Sequence, residues 1–163
     1  MSQSALRPPA SDTVAIACDH AGVALKAALK KDLAAHGLAV LDLGTDGPAS
    51  VDYPDFANAL AAAIGDGRAE RGVLICGTGI GISIAANRHP FIRAALVHDV
   101  ETARLTREHN DANVLCLGAR TTPEAAARDC LAVFLTTPYE GGRHENRVAK
   151  LGPRVSPARP ASA

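Results

Sequence analysis

Aromatic residues are scarce in this sequence, which has no tryptophan, two tyrosines and three phenylalanines among 163 residues. The apolar residues, 47% of the total, are therefore mostly alanine, valine, isoleucine and leucine. Such a composition favours small helices packed on a buried aliphatic sheet. The chain also lacks any apolar run of roughly 18 residues and any hydrophobic leader within residues 1–12. We therefore expect no membrane contact and a cytoplasmic location.

Net charge is absent as well, because 17 lysines and arginines balance 17 aspartates and glutamates. A chain without an overall basic field is not expected to bind nucleic acid. The four cysteines are far apart, and the absence of a C-x-x-C pair disfavours a zinc site and a disulfide framework. We expect reduced thiols, with Cys18, Cys116 and Cys130 serving in packing.

Five short aliphatic segments alternate with segments of helical periodicity. The predicted strands cover residues 14–18, 38–43, 72–76, 93–97 and 113–118. Strands separated by helices require right-handed crossovers, which build a parallel sheet covered on both faces. The sequence therefore predicts an α/β fold, namely a three-layer, Rossmann-like α/β/α sandwich with a mainly parallel sheet of about five strands.

The fold is expected to occupy one domain over residues 13–151. Residues 1–12 and 152–163 are rich in proline, serine and alanine, and we predict disordered tails there. In the first predicted helix, leucines repeat every four residues on one side, and the opposite side carries Lys26, Lys30 and Lys31. This pattern predicts that the three lysines face solvent.

A glycine-rich loop follows the third predicted strand. Its glycines, Gly77, Gly79 and Gly81, let backbone N–H groups approach an anionic ligand closely, and a helix begins nearby. The glycine spacing matches neither the dinucleotide fingerprint nor a Walker loop. Cys76 ends the strand before this loop, where its thiolate could serve as a base, although buried cysteines most often act as small hydrophobic residues.

Two pairs of polar residues lie next to other predicted strands. Asp19 and His20 follow the first strand, where Asp19 either contacts a ligand or caps the next helix. His109 and Asn110 close a helix, where His109 either serves a site or interacts with the helix dipole. Ligands of parallel α/β sheets bind beyond the carboxyl ends of the strands, which directs attention to the loops after each strand.

Arginine spacing near the end of the domain indicates an anion site. Arg143 and Arg147 are four residues apart and would share one face of a helix. Two guanidinium groups on one face suit a phosphate, whose oxygen pairs match their fork geometry. Arg120, after the fifth strand, could add a third positive group. The alternative is a solvated basic face.

Five motifs together resemble one family of sugar-phosphate isomerases. They are CDHAG at 18–22, DYPDFA at 52–57, ICGTGIGISIAANR at 75–88, REHNDANVL at 107–115 and YEGGRHENRV at 139–148. In this order, they resemble ribose-5-phosphate isomerase B and the related galactose-6-phosphate isomerase subunits. The resemblance implies interconversion of ribose 5-phosphate and ribulose 5-phosphate through an enediolate, with no metal or cofactor.

The resemblance also implies a role for each candidate residue. Cys76 would move a proton between C1 and C2, His109 would help to open the sugar ring, and Thr78 would lie beside the enediolate. Substrate contacts would come from Asp19, His20, Gly77, Gly79, Ile80, Gly81, Asn110, Arg120, Arg143 and Arg147. One branch of the family uses a glutamate at the position of Ile82, so this chain resembles the cysteine branch. Family members form dimers with a shared active site, which implies a homodimer or a dimer of dimers.

Two alternatives stay open at the level of the sequence. The first is the same reaction on galactose 6-phosphate, on allose 6-phosphate, or on erythrose or erythrulose 4-phosphate. The second is a non-catalytic nucleotide-binding module, in which the glycine loop holds a phosphate and Cys76 only packs. No acidic residue at the end of the second strand stands where a ribose contact requires one, although Asp42 lies near that position.

Overall fold

A computed structural model describes residues 12–154 of the chain. Its strands are β1 (Thr13–Cys18), β2 (Ala39–Asp42), β3 (Arg71–Cys76), β4 (Ala94–Leu96) and β5 (Val114–Gly118). They form one sheet in the order β2-β1-β3-β5-β4, and every neighbouring pair is parallel. All five predicted strands are confirmed, with ends shifted by no more than one residue.

Helices cover both faces of the sheet. They are α1 (Val23–Ala35), α2 (Tyr53–Gly65), α3 (Ile80–Ala86), α4 (Val100–Asn110), α5 (Glu124–Thr136) and α6 (Glu145–Leu151), with short 3-10 turns at His20–Gly22 and Gly142–His144. The buried residues of α1, α4 and α5 pack on one face, and those of α2 and α3 pack on the other. This arrangement confirms the predicted α/β/α sandwich.

The central strands are buried on both sides, which is why they read as continuous aliphatic runs. Val14 and Ile16 of β1 face the layer of α1, α4 and α5, whereas Ala15 and Ala17 face the layer of α2 and α3. The edge strand β4 is only half-buried and has three residues. The core therefore consists of two apolar layers that meet at β1, β3 and β5.

The predicted tails, 1–12 and 152–163, lie almost wholly outside the described residues. At the described end, Arg154 forms an ion pair with Asp111, with 3.3 Å between nitrogen and oxygen. Its guanidinium carbon also lies 5.2 Å from the ring centroid of Tyr139. Among residues 12–154, no helix combines the length and the apolar character needed to cross a bilayer.

Lys26 is not on the solvent side of α1, so the prediction for this lysine was wrong. Only 2% of its side chain is exposed, and its Nζ donates to Asp42 at 2.6 Å and to Asp46 at 2.7 Å. Lys30 donates to the second oxygen of Asp42 at 2.6 Å. Burial alone would raise the pKa of Asp42, but the hydrogen bonds from the two lysines outweigh it and hold the pKa below its usual value. The ion pairs of Lys26 and Lys30 with Asp42 thus tie α1 to the end of β2.

Replacing Lys26 with methionine should lower the free energy of unfolding by about 3 kcal/mol, because the substitution leaves a largely buried carboxylate without its main partner. Urea unfolding at neutral pH measures this loss. The folded pKa of Asp42 is depressed, so its contribution is complete above the unfolded value of 3.8 and is lost as the pH falls through the folded pKa. The difference between variant and wild type should therefore shrink in acid. Lys31→Met, on the exposed side of α1, is the control and should change stability by less than about 0.5 kcal/mol.

Candidate active site

The sheet order creates a crevice between the carboxyl ends of β1 and β3. Cys18 at the end of β1 pairs with Ile75 in β3, so the loops after the two strands start side by side. The chain then leaves β1 for α1 on one face and leaves β3 for α3 on the opposite face. Ligands of open α/β sheets bind at such a switch point.

Cys76 is the last residue of β3 at this edge of the sheet, and 4% of its surface is exposed. The backbone N–H of Gly79 donates to its Sγ over 3.2 Å. Gly79 has a φ of 76°, which turns the loop back over the thiol, and an added Cβ would lie 2.5 Å from a methyl carbon of Leu96. This hydrogen bond holds the sulfur at the start of the loop.

The other residues of the loop are partly engaged with one another. The N–H of Ile80 donates to Oγ1 of Thr78 over 3.3 Å, so this N–H shapes the loop from within. Arg120, after β5, donates its backbone N–H to the carbonyl oxygen of Gly77 over 2.9 Å. Its guanidinium lies beside the same glycine, since an added Cβ on Gly77 would be 2.9 Å from Nη1. The loop and Arg120 therefore form one unit.

The loop after β1 contributes two polar residues to the same edge. Asp19 is buried and accepts a hydrogen bond from the N–H of Ala21 over 2.9 Å, so it does cap the 3-10 turn. Nδ1 of His20 accepts from the N–H of Val51 over 3.2 Å, which places the proton of a neutral ring on Nε2. Both residues line a cavity of about 490 Å³.

Tyr53 is a residue of this edge that the sequence analysis did not single out. It lines the cavity with Asp19 and His20, and its ring lies against Gly81, where an added Cβ would be 2.5 Å from the ring carbon Cζ. The available signal was its place in the DYPDFA motif. Ile82, by contrast, is fully buried in the core.

The remaining cysteines lie away from the crevice or beneath it. Burial raises the pKa of the Cys18 thiol to about 11 and also raises the pKa values of Cys116 and Cys130. All three are fully buried, so the prediction that they serve in packing is confirmed.

His109 and Asn110 lie at the opposite edge of the sheet. Helix α4 begins after the carboxyl end of β4 and must return to the amino end of β5, so its last turn, which holds both residues, lies at the amino edge. Helix α5 returns in the same way, and the N–H of Glu140 donates to the carbonyl of Glu108 over 3.1 Å. Arg143 and Arg147 come shortly after Glu140 in the chain and therefore lie at the same edge.

His144 joins this group, although the sequence analysis did not select it. Its ring stacks on that of His109 with 4.3 Å between centroids. Burial lowers the pKa of His144, and the nearby His109, Arg143 and Arg147 lower it further, whereas Glu140 opposes them. The available sequence signals were its place in the YEGGRHENRV motif and its position between the two arginines.

The predicted site residues thus fall into two groups within one chain. We call the first the Cys76 half-site; it lies at the carboxyl edge and contains Asp19, His20, Cys76, Gly77, Thr78, Gly79, Ile80, Gly81 and Arg120. We call the second the His109 half-site; it lies at the amino edge and contains His109, Asn110, Arg143 and Arg147. Strands of five or six residues separate the two groups by about 16–20 Å.

A doubly wound α/β protein with a thiol, an imidazole and a glycine loop at its switch point belongs to the class of small-molecule enzymes. The family model described as Ribose/Galactose Isomerase matches residues 14–151, so the chain belongs to the ribose/galactose isomerase family. The family resemblance seen in the sequence is confirmed.

Three relatives illustrate the similarity. Ribose-5-phosphate isomerase B of Escherichia coli is 43% identical over 138 residues, which cover 85% of this chain and 93% of that protein. The structure of ribose-5-phosphate isomerase B from Clostridium thermocellum is 47% identical, with a TM-score of 0.84 and coverage of 86% and 95%. The enzyme from Mycoplasma genitalium, solved with bound ribulose 5-phosphate, is 40% identical, with a TM-score of 0.82 and coverage of 85% and 93%.

Proposed function

We infer that the chain is an aldose–ketose isomerase that interconverts ribose 5-phosphate and ribulose 5-phosphate. The observation that carries this inference is the similarity, over 85% of the chain, to an enzyme solved with ribulose 5-phosphate. The position of Cys76 at the switch point gives the reaction a candidate base. A direct absorbance assay for ribulose 5-phosphate formation tests the inference, and an inactive wild-type protein would contradict it.

Cys76 is the base in this proposal. Its thiolate removes the C2 proton of the open-chain aldose, and the electron pair left on C2 forms the enediolate as charge moves to the C1 oxygen. The proton of the C2 hydroxyl then passes to the C1 oxygen. The resulting thiol returns its proton to C1, and C2 becomes the carbonyl carbon of the ketose. Backbone donors of the loop and the guanidinium of Arg120, which lies against Gly77, stabilise the negative oxygen in this proposal.

His109 donates a proton to the ring oxygen as its bond to C1 breaks, and the C1 hydroxyl releases its proton to solvent and becomes the aldehyde carbonyl. General acid catalysis of this kind typically contributes ~10²–10⁴-fold. The two half-sites of one chain lie too far apart to contact one five-carbon sugar. We therefore propose that the His109 half-site of a second copy meets the Cys76 half-site, in a homodimer or a dimer of dimers.

Exposed apolar side chains next to the Cys76 half-site support this assembly. Ile80 and Ile84 stand one turn apart on α3 with 53% and 60% of their surfaces exposed, and Tyr53 is 38% exposed. Large apolar side chains grouped on a surface are typical of contact with a partner. A second copy would bury them and close the crevice.

Arg143 and Arg147 bind the phosphate in this proposal. Replacing either with alanine should raise KM for ribose 5-phosphate by about tenfold to a hundredfold, because a charge-assisted hydrogen bond contributes about 1.5–3 kcal/mol. Steady-state kinetics measure the effect. Arg128→Ala is the matched control, since this arginine of α5 pairs with Asp32 at the surface and should leave KM unchanged. An unaltered KM in the Arg143 and Arg147 variants would remove the phosphate assignment.

The structure gives no support to the nucleotide-binding alternative. Asp42, the acidic residue near the end of β2, binds Lys26 and Lys30 with both of its oxygens. A carboxylate held in this way is not available to bind the hydroxyls of a ribose. The reduced, buried thiols agree with the further proposal of a cytoplasmic location.

A further inference from the structure

Three side chains of the His109 half-site form a set of possible metal ligands. His109, Glu140 and His144 each offer one ligand atom, and these atoms all lie within 4.8 Å of one another. Nε2 of His144 is 3.6 Å from a carboxylate oxygen of Glu140. Two imidazoles and a carboxylate are a donor set that binds Zn²⁺ in proteins.

The ring of His144 supplies a second observation. Its Nε2 is buried and has no hydrogen-bond partner among the described residues, and the residue is only 5% exposed. A buried nitrogen left without a partner costs about 1–3 kcal/mol. Because this nitrogen faces the carboxylate of Glu140, a cation between the two would satisfy it.

The cluster closes around an ion when one imidazole turns out of the stack. A metal lies in the plane of each ring that binds it, and the rings of His109 and His144 are now only 16° from parallel. Tetrahedral Zn²⁺ with ligand distances of 2.0–2.1 Å brings its ligand atoms to about 3.3 Å from one another. The side chain of Glu140 is 52% exposed and free to turn, whereas its backbone is held to the end of α4 by the bond to Glu108. The flanking guanidinium groups of Arg143 and Arg147 oppose a cation, which favours reversible binding over a permanent structural ion.

We propose that His109, Glu140 and His144 bind a divalent transition-metal ion such as Zn²⁺, and that this ion inhibits the enzyme. The metal takes the lone pair of the His109 ring, so the ring can no longer carry the proton needed to open the sugar. The inhibitory part rests on the proposed function, whereas the binding part does not.

Titration of the full chain with Co²⁺, followed by visible absorbance, tests the site. One equivalent per chain should bind with the spectrum of a low-coordinate Co²⁺ ion. Glu140→Gln and His144→Ala should each weaken binding by about tenfold or more. His36→Ala, which removes an exposed histidine at the end of α1, should bind as the wild type does. Absent binding, or equal binding by the Glu140 and wild-type proteins, overturns the proposal.

Activity assays separate this proposal from the proposed function. Added ZnCl₂ should inhibit ribulose 5-phosphate formation, and EDTA should restore it. An active enzyme that binds no Co²⁺ would refute the metal site alone. A protein that binds Co²⁺ at these residues but has no isomerase activity when free of metal would refute the proposed function and leave the site in place.

Discussion

Cys76→Ala should lower kcat for ribulose 5-phosphate formation by about 10²–10⁴-fold and leave the dissociation constant for ribose 5-phosphate nearly unchanged. Alanine cannot accept the C2 proton, and among the described hydrogen bonds it removes only the one from the N–H of Gly79 to Sγ. Stopped assays at saturating substrate measure kcat, and calorimetric titration measures binding.

Two controls separate chemistry from folding. Cys76→Ser keeps an acceptor for the N–H of Gly79 but is too weak an acid to act as the thiolate does, so it should be nearly as inactive as the alanine variant. Cys130→Ala removes a buried thiol from the opposite face and should lower stability by about 1 kcal/mol while retaining activity. Parallel losses of binding and turnover in the Cys76 variants would count against its role as the base.

Mixing two inactive variants should restore activity. In a dimer of Cys76→Ala and His109→Ala chains, one shared site carries both substitutions and the other carries none. Random pairing makes half of the dimers mixed, so co-expression should give about a quarter of wild-type activity. Each variant alone should be nearly inactive, because every one of its sites lacks either the base or the acid.

The matched control for this experiment uses two substitutions in the same half-site. Cys76→Ala mixed with Asp19→Ala should restore nothing, because each chain then carries a defective Cys76 half-site. Restoration in both mixtures, or in neither, would contradict a site shared between chains.

The strands were predictable because each central strand is buried on both faces. Both faces then require apolar side chains, so the strand appears in the sequence as an uninterrupted aliphatic run. The environment of Lys26 was not predictable in this way. Helical periodicity compares residues within α1, whereas the partners of Lys26, Asp42 and Asp46, lie 16 and 20 residues further along the chain. Sequence periodicity predicts that a lysine opposite a leucine stripe is solvated. Only the fold shows that two carboxylates lie next to this lysine.

The sequence motifs predicted the residues of the candidate site. They did not predict that these residues fall into two groups at opposite edges of the sheet. Topology alone would have placed His109, because a helix that joins two parallel strands ends at the amino edge of the sheet. His144 was a different case, since its importance depends on stacking against His109, a residue 35 positions earlier in sequence. Contacts of that kind leave no local pattern.

The separation of the half-sites by the sheet leaves the residues at its two edges free to diverge. After duplication of such a gene, one copy could lose the thiol and the other the imidazole, and the mixed pair would still hold one intact reaction centre. Selection would then act on the pairing of unlike subunits rather than on either chain alone. A separation of one strand length between the half-sites is thus also a starting point for division of labour between paralogues.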